Sequence, residues 1–288
     1  MQEPDVRRAV AAAMAVAASV GLDARDAVVL QNSNKLTVRL TPCEVLARIA
    51  PPAYQVAQLE IEIAQRLAET ASPVAALEPR AAPRPYTRDG FVITLWTYYA
   101  SVTPEVAPAD YAKALVQLHA DMRRLKVTTP HFTDRITEAE QIVASRDQSP
   151  ALADPDRAFL GGALRRLRQT ITDHGAPEQL LHGEPHPGNL LSTRHGPLFI
   201  DLETCCRGSV EFDLAHAPED IALHYPGVDQ ALLSNCRALV LAMLAAWRWD
   251  AADEFPDGPR WGRAFISTLR QGPPWPSLDA MTRRLAGS

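Results

Sequence analysis

The stretch Leu180–Ala215, LLHGEPHPGNLLSTRHGPLFIDLETCCRGSVEFDLA, decides how the rest of the chain is read. It gathers His182, Glu184, His186, Asn189, Asp201, Glu203 and Asp213 around two short apolar runs, Leu190-Leu191 and Leu198-Phe199-Ile200. The residues between the runs, Thr193-Arg194-His195-Gly196-Pro197, have turn chemistry, so the two runs are predicted to form a hairpin. The second run ends at Asp201. A carboxylate at the carboxyl end of a short buried strand projects into the crevice where ligands bind. The loop ahead of the hairpin then brings Glu184 and Asn189 close to Asp201. Two carboxylates and a carboxamide are all oxygen donors, a set that suits a hard cation such as Mg2+ and not zinc.

Working outward, 288 residues with 47% hydrophobic content suffice for one large domain or two lobes with their own cores. A net charge of -5 provides no basic face for a nucleic-acid backbone, which argues against DNA or RNA as a partner. Cys43, Cys205, Cys206 and Cys236 lack paired metal spacing, and the plain reading is a reduced, cytoplasmic chain. Arg7-Arg8 and the alanine-rich run after them look superficially like a secretory leader. Glu3 and Asp5 acidify its front, however. Val6, Val10, Met14 and Ala17 recur at helical spacing and predict a packed amphipathic helix too short to span a bilayer.

The elements that follow are predicted in order. Ala27–Leu30 and Leu36–Leu40 read as strands joined by Gln31-Asn32-Ser33-Asn34-Lys35, and Val45–Ile49 as a third strand interrupted by Arg48. Val56, Leu59, Ile63 and Leu67 form a helical stripe with Glu60 beside it. Val74–Leu77 is expected as a short strand, 79–86 as a proline-rich loop, and Phe91–Trp96 as a further strand. Asp110 is expected to cap a helix bearing Tyr111, Leu115, Leu118 and Met122. A second helix carries Phe159 to Ile171, and a long apolar one spans Leu232 to Trp247. The order is α+β: a β-rich lobe with one main helix over residues 1–97, then a mostly helical lobe over 98–288 that carries the polar loop and hairpin.

The chain resembles the aminoglycoside phosphotransferase and choline kinase-like family, whose bilobal fold is related to that of protein kinases. The resemblance rests on His182-Gly183-Glu184-Pro185-His186-Pro187-Gly188-Asn189, on Ile200-Asp201 and on Asp213-Leu214-Ala215, three pieces in order and correctly spaced. It implies a small-molecule kinase that moves the γ-phosphoryl group of ATP or GTP to a hydroxyl of an antibiotic, sugar or amino alcohol, with Mg2+. Glu184 takes the position of the catalytic base, and Asn189 and Asp201 those of the metal ligands. Arg48 takes that of the third-strand cation on the phosphates, with Glu60 as its helix partner. The Asn32-Ser33-Asn34 turn would cover the phosphates, and Leu95-Trp96-Thr97-Tyr98 would be the hinge facing the base. Asp213 would brace the loop through backbone N–H groups; His182 and His186 are read as structural supports of the loop, and Glu203, two residues after Asp201 on the same side of an extended chain, as a support of the metal site or a solvated residue. No membrane or nucleic-acid partner is expected, and a monomer or homodimer is.

Phosphoryl transfer asks a protein mainly for positioning and charge neutralisation, and these residue types supply both. Three departures from the family pattern stand out. Glu184 replaces an Asp and is one methylene longer, no G-x-G-x-x-G precedes the third strand, and Arg48 replaces a Lys. Arg is permanently charged and grips phosphate bidentately, so it is a workable substitute. The departures also define an alternative, a kinase-fold nucleotide-binding protein with little or no catalysis. A His/carboxylate hydrolase fits poorly, because Pro185 and Pro187 prevent the helix that H-E-x-x-H requires. The acidic run Asp250, Asp253, Glu254 and Asp257 is read as a solvated loop, with attraction of a cationic acceptor as the sharper reading.

Overall fold

The computed structural model describes residues 1–52, 56–102 and 106–286. The last two residues of the lobe expected over 98–288, Gly287 and Ser288, lie outside them. In chain order the elements are α1 (Glu3–Ser19), β1 (Ala24–Asn32), β2 (Leu36–Pro42), β3 (Val45–Ala50), α2 (Ala57–Ala68), β4 (Tyr86–Arg88) and β5 (Phe91–Thr97). Then follow α3 (Pro108–Met122), α4 (Phe132–Ala144), α5 (Asp154–His174), β6 (Gln179–Leu181), β7 (Leu190–Thr193), β8 (Gly196–Phe199) and β9 (Cys206–Gly208). The chain ends with α6 (Val210–Leu214), α7 (Ile221–His224), α8 (Gln230–Arg248), α9 (Gly258–Gln271) and α10 (Leu278–Ala286). Two compact units result. One is Met1–Val106 with Leu191–Glu203, and the other is Ala107–Leu190 with Thr204–Ser288. The segment that carries Asp201 therefore belongs to the first unit.

In the first unit an antiparallel sheet runs β1-β2-β3-β5-β4. Side chains alternate across a strand, and β2 shows it: Leu36, Val38 and Leu40 are fully buried while Thr37 and Arg39 are not. Val45, Ala47 and Ile49 on β3 and Ile93 and Leu95 on β5 join them in one core with α1. The face that α1 buries is made of Ala9, Ala12, Ala13, Val16 and Ala17. Val6, Val10 and Met14, which periodicity placed on the packing stripe, lie partly buried at its rim. Methyl side chains let the helix backbone approach the sheet closely, so the small residues take the centre.

The segment around Val74–Leu77, expected as a strand, forms only isolated bridges, Val74 to Phe199 and Leu77 to Trp96. Those bridges matter all the same. Phe199 N–H donates to Pro73 O at 2.8 Å and Ala75 N–H to Phe199 O at 2.9 Å. The β7-β8 hairpin is thus tied to the first unit two residues before Asp201.

The second unit is helical, with a two-stranded β6-β9 pair at its centre. Tyr111, Leu115, Leu118 and Met122 are all buried on α3. The helix starts at Pro108 after Ala107, however, and Asp110 lies in the first turn without acting as the cap. A proline at the start has a preset φ and no N–H to satisfy, so the helix begins without a side-chain cap. Among the described residues, α8 alone is long and apolar enough to cross a membrane, yet it is mostly buried in this unit. Burying Leu232, Leu233, Leu239 and Leu241 completely stabilises the unit by about 2 kcal/mol each relative to leaving them exposed.

Candidate active site

In the first unit the ladder sets the charge pattern. Arg48 on β3 lies opposite Thr37 on β2 and Thr94 on β5, on the face away from the apolar core. Its guanidinium reaches Glu60 of α2 through Nη1 and Asp201 through Nη2. Glu60 is 2% exposed. A charge that deep needs a partner, and Arg48 is it. Asp201 sits just past β8 with φ 67°, in the left-handed region that Asp tolerates better than bulkier residues. Burial raises its carboxyl, but the positive charges of Arg48 and Lys35 outweigh that and hold it below the ordinary aspartate range.

Lys35 was not singled out from the sequence, where it closes a loop-like turn. Its ammonium donates to Asp201 Oδ1 at 3.1 Å and also to a Glu203 carboxylate oxygen. Burial, and next the Arg48 charge, pull the ammonium below the usual lysine range. Glu203 faces Lys35, a partner it shares with Asp201, and lies 3.8 Å from Arg48. Two carboxylates held on one ammonium are the kind of donors Mg2+ takes, one or two at a time, alongside water and phosphate oxygens. Among the described residues no group of three or more His, Cys, Asp or Glu forms a ready-made metal cage.

Two other candidate groups of the first unit make contacts within the protein. The Asn32 side chain is tied to Met1, accepting from its ammonium at 2.8 Å and donating to its carbonyl at 2.9 Å. Ser33 N–H donates to Lys35 O at 3.1 Å, and Asn34 is exposed. Over 95–98, Leu95 O accepts from Glu78 N–H, while Thr97 and Tyr98 donate their N–H groups to Ala76 O and Glu44 O. Trp96 pairs with Leu46 across the β3-β5 ladder. These bonds engage Leu95 O and the N–H groups of Thr97 and Tyr98 within the first unit.

In the second unit Asp213 is fully buried and organises the loop. It accepts from His182 N–H at 2.9 Å, from Gly183 N–H at 2.8 Å and from His119 Nε2 at 2.8 Å. His119 Nδ1 lies 2.7 Å from the Tyr225 hydroxyl, which extends the chain of contacts. Burial alone would raise the Asp213 carboxyl, but these donors, His119 first, keep it below the ordinary range. Gly183 has φ 91°, and a Cβ there would stand 2.0 Å from Thr204 O. Only glycine fits.

The His182 ring is also buried, with Nδ1 3.4 Å from Glu184 N. His186 accepts Gly188 N–H at 3.0 Å and caps the short turn Pro187–Asn189. Asn189 donates Nδ2 to Glu184 O at 3.0 Å, which commits the amide nitrogen to the loop and makes Oδ1 the atom suited to a cation. The Glu184 carboxylate pairs with Arg135 Nη2, and the Arg135 guanidinium lies 4.9 Å over the Trp247 ring. Burial pushes Glu184 up, but Arg135 and then His216 more than offset it, so the group is held as a carboxylate. Arg135 and His119 were missed in the sequence because nothing in their local context departs from an ordinary helix. In the acidic run, Asp253 is an ion-pair partner of Arg248 at 3.1 Å.

An antiparallel sheet with an Arg–Glu pair, and a helical unit with an aspartate-braced H-G-x-x-H-x-x-N loop, define a protein-kinase-like fold of the small-molecule phosphotransferase type. The model of the phosphotransferase enzyme family matches residues 27–255, and the chain belongs to that family. Solved structures agree on the fold. A choline/ethanolamine kinase family protein from Mesorhizobium loti is 14% identical with a TM-score of 0.65, covering 99% of this chain and 97% of its own. Amicoumacin kinase hAmiN, solved with AMP-PNP, Ca2+ and Ami, is 11% identical with a TM-score of 0.69 over 95% and 98% of the two chains. A spectinomycin phosphotransferase bound to AMP is 12% identical with a TM-score of 0.63 over 88% and 95%. A sequence comparison with curated proteins finds no match.

Proposed function

We propose that this protein is a small-molecule kinase that transfers the γ-phosphoryl group of ATP or GTP to a hydroxyl of an antibiotic, sugar or amino alcohol. The observation that carries the reading is the loop His182–Asn189, held by the buried Asp213 so that it presents Glu184 and Asn189. Glu184 is the group that orients the acceptor hydroxyl and takes its proton. Its carboxylate is kept ionised by Arg135, so it is in the accepting form at neutral pH. Asn189 Oδ1 and Asp201 are the ligands proposed for Mg2+, which when bound neutralises phosphate charge. Arg48, clamped by Glu60, supplies a fixed positive charge for phosphate oxygens. The nucleotides and antibiotics in the complexes of related folds support this class of substrates.

The experiment is a nucleotide-consumption screen over aminoglycosides, peptides, sugars and amino alcohols with Mg2+, repeated on two variants. Asp201→Asn should abolish turnover with the fold retained by circular dichroism, and full activity in it would exclude the role given to Asp201. Glu184→Gln should lower kcat far more than it weakens nucleotide binding. One observation favours a second reading, a nucleotide-binding protein with weak catalysis: the Arg135 pair makes Glu184 a weaker base than an unpaired glutamate. Tight Mg-nucleotide binding with no transfer to any acceptor would select it.

A further inference from the structure

Lysine is rare in this chain. Only Lys35, Lys113 and Lys126 occur, every other side-chain cation of this length being arginine. Lys113 and Lys126 are exposed, whereas Lys35 is 8% exposed. The register explains where it points. Thr37 pairs with Arg48, and Lys35, the residue just ahead of β2, lies two positions before Thr37, which brings it diagonally alongside Arg48. Both donate to the same oxygen of Asp201, Oδ1. Their surroundings are not alike. Arg48 is anchored from behind by the buried Glu60. Lys35 forms ion pairs with Asp201 and Glu203 through a flexible four-carbon stem that leaves the connection between β1 and β2. The cluster sets Lys35 and Arg48 against Glu60, Asp201 and Glu203, two positive charges against three negative.

We propose that Lys35 is the exchangeable cation of the nucleotide site: its ammonium competes with a divalent ion for Asp201 and Glu203, and turns to phosphate oxygens when a metal–nucleotide binds. Arg48 then holds Asp201 and Glu60 in place while Lys35 moves. An ammonium suits the moving role, because it is a compact point charge with freely rotating donors. A guanidinium suits the fixed one, because it bridges two carboxylates in plane. The inference rests on the kinase reading above and adds to it a phosphate contact from the connection that leads into β2.

The test uses the full chain. Lys35→Met removes the charge and keeps the stem. Mn2+ alone, followed by its EPR signal, should bind this variant about fivefold more tightly than wild type, since a competitor for the carboxylates is gone. Mg-AMP-PNP, by isothermal titration, should bind it about tenfold more weakly, since a charge-assisted phosphate contact is gone. A purely structural role would weaken both ligands together. Equal or weaker Mn2+ binding, or unchanged Mg-AMP-PNP binding, overturns the proposal.

Should Lys35→Met not fold, wild-type protein treated with an acyl phosphate of ATP and Mg2+ answers instead. The ε-amine attacks the acyl carbon, an amide forms, and the nucleotide leaves. Mass spectrometry should find the acyl group on Lys35, and its presence only on Lys113 or Lys126 overturns the proposal. Wild-type protein that binds neither Mg-AMP-PNP nor Mg-GMP-PNP defeats the kinase reading and this inference together. Wild-type binding with an unaltered Lys35→Met defeats only the inference.

Discussion

Asp213→Asn is the most informative single change in the second unit. The native carboxylate is fully buried and accepts three hydrogen bonds, from His182 N–H, Gly183 N–H and His119 Nε2. Asparagine keeps the shape but turns one acceptor into a donor. If the new amide nitrogen takes the place of Oδ2, it faces both His182 N–H and His119. If it takes the place of Oδ1, it faces Gly183 N–H alone, which is the better outcome. Even then one buried backbone donor is orphaned, at about 1–3 kcal/mol, and two charge-assisted bonds become neutral, at about 1 kcal/mol each. Relief from burying a charge offsets part of this. The expected net loss is about 2–4 kcal/mol, or roughly a 1 M fall in a urea midpoint for a slope near 3 kcal/mol/M.

The assay is urea unfolding by tryptophan fluorescence, with amide exchange at His182 and Gly183 as the local reporter. A built-in comparison is Asp229, which likewise accepts two backbone amides, from Ala231 and Leu232, but at the solvent-exposed start of α8. Asp229→Asn should cost much less, since water can replace the lost bonds. A midpoint for Asp213→Asn equal to that of Asp229→Asn, with exchange at His182 and Gly183 unaltered, would refute the claim that burial gives this carboxylate its hold on the loop.

Further outcomes follow from the same geometry. Gly183→Ala combines a positive φ with a Cβ 2.0 Å from Thr204 O, so it should destabilise by about 3 kcal/mol or more and abolish any turnover, read by thermal unfolding and the nucleotide assay. Burial lowers His216 from 6.5 to about 4, so the folded protein excludes a proton that the unfolded chain binds. Its contribution is present in full above pH 6.5 and lost as pH falls toward 4, a loss of roughly 3 kcal/mol, and His216→Gln should flatten stability across that window in thermal unfolding at stepped pH. Asp201, Glu184 and Asp213 all titrate below their ordinary values, so their share is lost only at still lower pH, as pH falls through those depressed values.

The fold class and the loop were readable from the sequence because both are written locally. The eight residues His182–Asn189 carry their own glycine and prolines, the β2 alternation shows in six consecutive residues, and the helices of the second unit show their stripes. Even so, local pattern centred the packing face of α1 on residues that lie at its rim and misplaced the start of α3, since close approach to the sheet and a leading proline decided those points. The partners of the charges were decided only by tertiary structure. Lys35 meets Asp201 across 166 residues, His119 meets Asp213 across 94, and Arg135 meets Glu184 across 49. In a chain with 29 basic and 34 acidic residues, sequence spacing cannot say which cation is carried to which carboxylate. Strand order, register and helix packing make that choice, because a buried charge persists only where the non-local fold delivers its counter-charge.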